Sequence, residues 1–230
     1  MPFELPGAEQ VDAFLPDYHY RHALDPEQPL SLNTVTLPDA RMDVDGVKQG
    51  GYMDIRHNLH QEMRLALDVL EDIDRQFELQ FGRGGSPLLD PYRCDDADYI
   101  VVAMGTLANQ FHDVIERLRE EDGLKVGVLA VQVYRPFPNE QVATALQGAK
   151  GVMVYEKGLS YGNQGALYGD VKSALYPYPS RPQLHNFIVG LGGREIPTDE
   201  LCRTLKDACL SEQQAAPGQS DAPQWIGLQL

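Results

Sequence analysis

The stretch Tyr99-Ile100-Val101-Val102-Ala103-Met104-Gly105-Thr106 decides the fold. Six consecutive apolar residues, rich in β-branched types, describe a strand covered on both faces rather than a half-solvated one. Gly105-Thr106 then turns the chain into a helix, with Thr106 expected as its N-cap. That helix carries Leu107, Phe111, Val114, Ile115 and Leu118 on one side and stops at Gly123. The same alternation repeats downstream. A second strand is expected over 125–133, a third over 151–155 and a fourth over 186–190. Helices are expected after Pro138, over 166–175, and from Thr198 onward with Leu201, Leu205, Ala208 and Leu210. Strands separated by helices of this length imply an α/β domain with a parallel sheet and right-handed crossovers. The expected limits of this domain are residues 98–210.

Upstream, Ile55, Leu59, Met63, Ala66, Leu70, Ile73, Phe77 and Phe81 recur every three or four residues, which predicts an amphipathic helix within a helical linker over 55–97. Glycines 82, 84 and 85 end it. A helix of this length has to bury its stripe, either on the following domain or on another chain. Residues 1–54 are rich in Pro, Asp and Gly and cannot build a core of their own. Their scattered Phe3, Phe14, Leu15, Tyr18, Tyr20 and Leu30 favour an extended interaction arm over a disordered linker. Residues 211–230 read as a flexible, polar tail in which Trp225 and Ile226 are the groups able to dock.

Composition bounds the function. The 230 residues are 43% hydrophobic and 23% charged, an ordinary globular profile, but the formal net charge is −15. That charge argues against nucleic acid as a partner, and against an anionic membrane. No apolar run reaches the length of a membrane span, and the first residues lack a signal peptide's features, so a cytoplasmic protein is expected. The three cysteines, Cys94, Cys202 and Cys209, are too few for an iron–sulfur cluster and read as free thiols in a reducing compartment.

Motifs that might carry chemistry fail one by one. His57 and His60 share a helix face, but Glu62 points away, so no zinc motif forms. Cys202 and Cys209 lie two turns apart on one helix and read as core residues. The loop 156–165 follows a strand and opens a helix, but its glycines match neither a P-loop nor a dinucleotide fingerprint. A tight turn at an interface, built on Gly162 and Gly165, is preferred to an anion site there. Gly169-Asp170-Val171 lacks the second glycine of a thiamine diphosphate motif and no Asn pair follows, so Asp170 reads as a helix-surface residue. No catalytic, cofactor-binding or metal-ligating residue is therefore assigned.

The ordered set Asp98–Thr106, Lys125–Pro138, Val152–Lys157, Leu167–Leu175 and Phe187–Arg194 resembles the second domain of the alpha subunit of pyruvate:ferredoxin oxidoreductases. Upstream, Val11–Pro16 and Leu24–Ser31 resemble the segment that closes that subunit's first domain, and point to the pyruvate branch. The resemblance implies a transketolase C-terminal-like fold, a three-layer sandwich around a mostly parallel sheet. It also implies a complex that decarboxylates a 2-oxoacid to an acyl-CoA. Such a complex uses thiamine diphosphate, Mg²⁺, iron–sulfur clusters and coenzyme A. Its other parts would be a thiamine-pyrimidine domain, a beta subunit, and gamma and ferredoxin-like subunits. The chain corresponds to the alpha subunit without its thiamine-pyrimidine domain, so it is expected to be inactive alone. Arg135, Phe137 and Glu156 are assigned structural and assembly roles. The competing expectation is a repurposed, non-catalytic binding or regulatory module.

Overall fold

The computed structural model describes residues 6–15, 42–44, 47–49, 52–212 and 222–228. The chain divides into two compact units, Met1–Gly84 and Gly85–Leu230.

In the second unit, a six-stranded sheet is built from β3 (Leu89–Tyr92), β4 (Tyr99–Ala103), β5 (Val126–Val131), β6 (Gly151–Glu156), β7 (Gln183–Ile188) and β8 (Gln224–Trp225). Their spatial order is β3-β5-β4-β6-β7-β8. All neighbouring pairs are parallel except β3 with β5, which sets Leu89 opposite Val131 and Tyr92 opposite Val128. The central position of β4 explains its continuous apolar run: every residue from Tyr99 to Ala103 is buried.

Helices close both faces. Successive side chains of a strand point to opposite sides. Tyr99, Val101 and Ala103 of β4, Val126 and Val128 of β5, and Met153 and Tyr155 of β6 join one core cluster. It is sealed by Leu107, Phe111, Val114, Ile115 and Leu118 of α3 (Gly105–Asp122) and by Leu201, Leu205 and Cys209 of α6 (Thr198–Glu212). Tyr155 stacks on Phe187 at 4.4 Å and meets Phe111 edge-on at 4.8 Å. The alternate strand residues Ile100, Val102, Leu129, Val152 and Val154 are equally buried. Their side of the sheet carries α4 (Asn139–Leu146) and α5 (Ala166–Leu175), which pack on each other. The result is three layers, α/β/α: the mostly parallel sheet agrees with the sequence pattern, and the three layers with what the resemblance implies.

Several boundaries differ from expectation, among them β7, which runs Gln183–Ile188 rather than over 186–190, and α2, which starts at Tyr52 rather than Ile55. The sheet starts at Leu89 rather than after residue 98, because β3 adds an antiparallel edge to β5. Pro91 is tolerated there since only an edge strand can lack a ladder donor. Helix α3 starts at Gly105 with Met104 as N-cap, so Thr106 lies inside it. The segment expected as a free tail returns at β8, where the Ile226 N–H donates to the Ile188 carbonyl at 3.0 Å and Ile226 packs on the core. Residues 213–221 and 229–230 of that tail lie outside the described residues.

The first unit contains α1 (Ala8–Phe14), an antiparallel pair β1 (Met42–Val44) with β2 (Val47–Gln49), and the 30-residue α2 (Tyr52–Phe81). Most of the arm expected over residues 1–54 lies outside the described residues; α1, β1 and β2 are the parts described. Phe14 of α1 sits edge-on against Phe77 and Phe81 of α2, both at 5.7 Å. N-terminal to that contact, Leu59 is 50% exposed and Ile73 44%.

Candidate functional site

In open α/β sheets, function concentrates at the carboxyl ends of the parallel strands. Here two loops there are held rigid by polar groups. The first is the loop 157–165 between β6 and α5. Glu156 ends β6 and is buried. Its carboxylate accepts the Leu167 N–H at 2.8 Å and the Tyr168 N–H at 3.1 Å, two of the donors that the start of α5 leaves unpaired. Asn186 of β7 donates its side-chain amide to Glu156 at 3.0 Å and accepts the Gly165 N–H at 2.8 Å. Burial pushes the Glu156 carboxyl above its ordinary value, while the donated hydrogen bonds pull the other way.

This clamp explains Gly165. A Cβ there would sit 1.8 Å from Glu156 Oε1 and 2.8 Å from the Asn186 amide nitrogen. The backbone φ of Gly165 is −60°, so glycine is demanded by space, not by conformation. Gly162 is the opposite case. It has φ of 80° and open space around it, inside a turn closed by the Asn163 N–H donating to the Ser160 carbonyl. Beside it Tyr161 projects with 90% of its surface exposed.

The second loop runs from β5 to α4. Arg135 donates to both Asp170 oxygens, at 3.0 and 3.3 Å, and to the Tyr134 carbonyl at 2.7 Å. Its guanidinium lies 4.1 Å from the centre of the Tyr134 ring. Phe137 meets the same ring edge-on at 6.3 Å. Burial, and then the neighbouring Asp170 carboxylate, push the Tyr134 hydroxyl upward. Asp170 is thus no plain surface residue of α5: it ties that helix to the β5–α4 loop. The five residues singled out in the sequence fall into two groups, Arg135 with Phe137 and Glu156 with Gly165, while Gly162 stands at the turn beyond the clamp.

Asn186, Asp170 and Tyr134 escape the sequence reading. Asn186 opens an apolar run, where an isolated polar residue is a signal for a buried hydrogen bond. For Asp170 no local signal exists, since its partner lies 35 residues earlier.

The chemical capacity of the described residues is narrow. No group of three or more His, Cys, Asp and Glu side chains is arranged to hold a metal ion. Cys202 and Cys209 are buried, and burial raises the Cys94 thiol to about 11, so none of these cysteines is an activated nucleophile. The described residues therefore do not fit Mg²⁺ or an iron–sulfur cluster, and no reaction step is derived through either. No described helix is long and apolar enough to cross a membrane.

A family model for the pyruvate:ferredoxin oxidoreductase core domain II matches residues 97–201. A pyruvate synthase subunit PorA of Methanothermobacter thermautotrophicus is 37% identical over 195 residues, 85% of this chain and 46% of that protein. The subunit PorA of Pyrococcus horikoshii is 35% identical over 229 residues, 99% of this chain and 54% of that protein. A ketoisovalerate oxidoreductase subunit VorA of Pyrococcus abyssi is 32% identical over 200 residues, 86% of this chain and 48% of that protein. The chain spans about half the length of the curated relatives it matches.

Proposed function

We propose a function from one premise: this chain belongs to the pyruvate:ferredoxin oxidoreductase family, residues 97–201 being its core domain II. In this reading it is a non-catalytic, structural part of a cytoplasmic 2-oxoacid:ferredoxin oxidoreductase, with pyruvate as the substrate of the assembled complex. Thiamine diphosphate, Mg²⁺, iron–sulfur clusters and coenzyme A are held by its partners: the thiamine-pyrimidine domain, the beta subunit, and the gamma and ferredoxin-like subunits. The three-layer domain contributes rigid loops. The clamp of Glu156, Asn186 and Gly165 fixes the loop bearing Tyr161, and Arg135 with Asp170 fixes the loop bearing Phe137. Both loops leave the carboxyl ends of the parallel strands, and together they form the docking surface for those partners.

The observation that carries this reading is 35% identity running through 229 residues, in both units, to a pyruvate synthase subunit. The test is a native pull-down of the chain with mass spectrometry of what it retains, coupled to pyruvate-dependent reduction of methyl viologen. Co-purification of thiamine- and cluster-bearing chains with pyruvate-dependent reduction is the expected result. Retention of unrelated proteins without that activity would overturn it in favour of a repurposed binding module.

A further inference from the structure

A third loop, residues 189–197, leaves the carboxyl end of β7 and leads into α6. Its two ends are fixed from within the domain. Val189 donates its N–H to the Glu156 carbonyl at 3.1 Å, and Gln110 of α3 donates its side-chain amide to the Ile196 carbonyl at 2.8 Å. The middle is different. Gly192 and Gly193 have φ of 67° and 78°, and a Cβ at either would meet no atom within 4 Å. A glycine turn of this kind has much conformational freedom unless something packs on it.

What lies against this loop is the C-terminal segment 222–228. Leu191 and Arg194 of the loop and Trp225, Ile226 and Leu228 of the segment line one shallow cavity of about 90 Å³. A small-molecule site needs roughly 300–1,000 Å³, so this is a seam between two pieces of chain rather than a ligand pocket. The backbone of Gly227 runs beside Arg194: a Cβ there would lie 3.6 Å from Arg194 Cδ and 3.7 Å from Nε. The segment itself is lightly held. Its ladder with β7 is two residues long, Phe187 beside Gln224 and Ile188 beside Trp225. Ile226 anchors it, donating its N–H to the Ile188 carbonyl and packing on the core. Trp225 and Leu228 keep 43% and 53% of their surface exposed.

We propose that segment 222–228 is a detachable strap that clamps the loop 189–197, and so adds a third, switchable element to the docking surface at the carboxyl ends of the strands. A region with few buried contacts opens locally, without the rest of its domain. Strand β6, buried through all six residues, opens only with the whole unit. The strap therefore has a closed state, in which the loop is fixed, and an open state, in which it is not. A partner that touches the fixed loop draws the equilibrium to the closed state. The consequence for docking rests on the role proposed above; the hold of the strap on the loop does not.

The test is amide hydrogen exchange of the full chain, read by mass spectrometry, in the wild type and in Ile226→Asp. In the wild type, residues 224–226 should exchange at least ~100-fold faster than residues 152–155 of β6. In Ile226→Asp, exchange over 189–194 should rise about 10-fold, while 134–138 and 157–165, held by their own polar groups, stay unchanged. Ile226→Val should behave as the wild type. Because Ile226 packs on the core, Trp225→Ala combined with Leu228→Ala serves as a second variant, which loosens the strap from its exposed side and should raise 189–194 in the same way. Exchange at 224–226 as slow as in β6 overturns the proposal, and so does exchange over 189–194 that neither variant changes. In the native pull-down, Ile226→Asp should retain about 10-fold less of the partner chains, and full retention overturns the strap's part in docking. A wild-type chain that retains no oxidoreductase partner, with the exchange pattern as expected, overturns the docking role alone and leaves the strap's hold on the loop in place.

Discussion

Val101, Val102, Val152 and Val154, on the central strands of the α/β unit, are completely buried, whereas Leu59 and Ile73, on the stripe of α2, keep about half of their surface. Both sets are apolar and regularly spaced. The difference teaches that periodicity reports which side an element wants to hide, not whether this chain hides it. The α/β unit finds its own cover on both sheet faces. Among the described residues of its own unit, helix α2 is covered near its C-terminal end, by Phe14.

The largest effect that follows from this contrast belongs to Val154→Asp. An unpaired carboxylate between the sheet and its helices should cost at least ~4 kcal/mol, and urea unfolding should show the α/β unit collapsed or at the limit of stability. A near-native midpoint would break the contrast. Gly165→Ala should come next, at about 3 kcal/mol, because the new methyl group lies within bonding distance of a carboxylate that cannot leave its hydrogen bonds. The measurement is again the unfolding midpoint. Gly162→Ala separates the two glycines, since it meets no atom and costs only the strain of positive φ, roughly 1 kcal/mol.

Two carboxylates sharpen the contrast through pH, with opposite signs. Glu156 titrates above the ordinary 4.5 because it is buried. A raised folded value means that its contribution to stability is complete below about 4.5 and declines as pH rises through the folded value. Glu116 on α3 is held down at about 2 by the Arg93 guanidinium, with further help from the Tyr92 hydroxyl. Its contribution is complete above about 4.5 and is lost as pH falls towards 2. Unfolding followed from pH 2 to 8 should show the acid-side slope reduced in Glu116→Gln. The decline above 4.5 should be reduced in Glu156→Gln.

The smallest effect belongs to Leu79→Asp on α2. Leu79 is 83% exposed, so the stability of the chain should move by no more than ~0.5 kcal/mol. A larger loss would show that α2 is covered there after all.

How much is legible follows from the same residues. Strands β4 to β7 and the helices between them are, because each is a run whose own composition states its burial. Strands β3 and β8 are not. One is four residues with a proline, the other two residues, and each exists only because a distant edge offers partners. The β1–β2 pair does carry a local signal, Asp45-Gly46 between two short strands, a composition typical of two-residue hairpin loops. At the site, Glu156 and Gly165 stand out in the sequence as a polar strand end and a loop glycine. Their dependence on each other does not, because Asn186, which touches both, lies 21 residues beyond Gly165. Asp170 is hidden for a similar reason: an ion pair between a helix and a distant loop has no sequence period.

The central place of β4 bears on how this protein is made. Translation delivers β4 first among the five parallel strands, yet its two neighbours are β5 and β6. Until residue 156 has left the ribosome, a fully apolar strand waits with one or both edges unpaired, and Glu156 then waits for Asn186 before the start of α5 is satisfied. Nascent chains of intermediate length are therefore the species most prone to aggregation and most in need of a chaperone. A ribosome stalled between β4 and β5 should prolong that exposure, whereas one stalled well downstream of β6 should leave it unchanged.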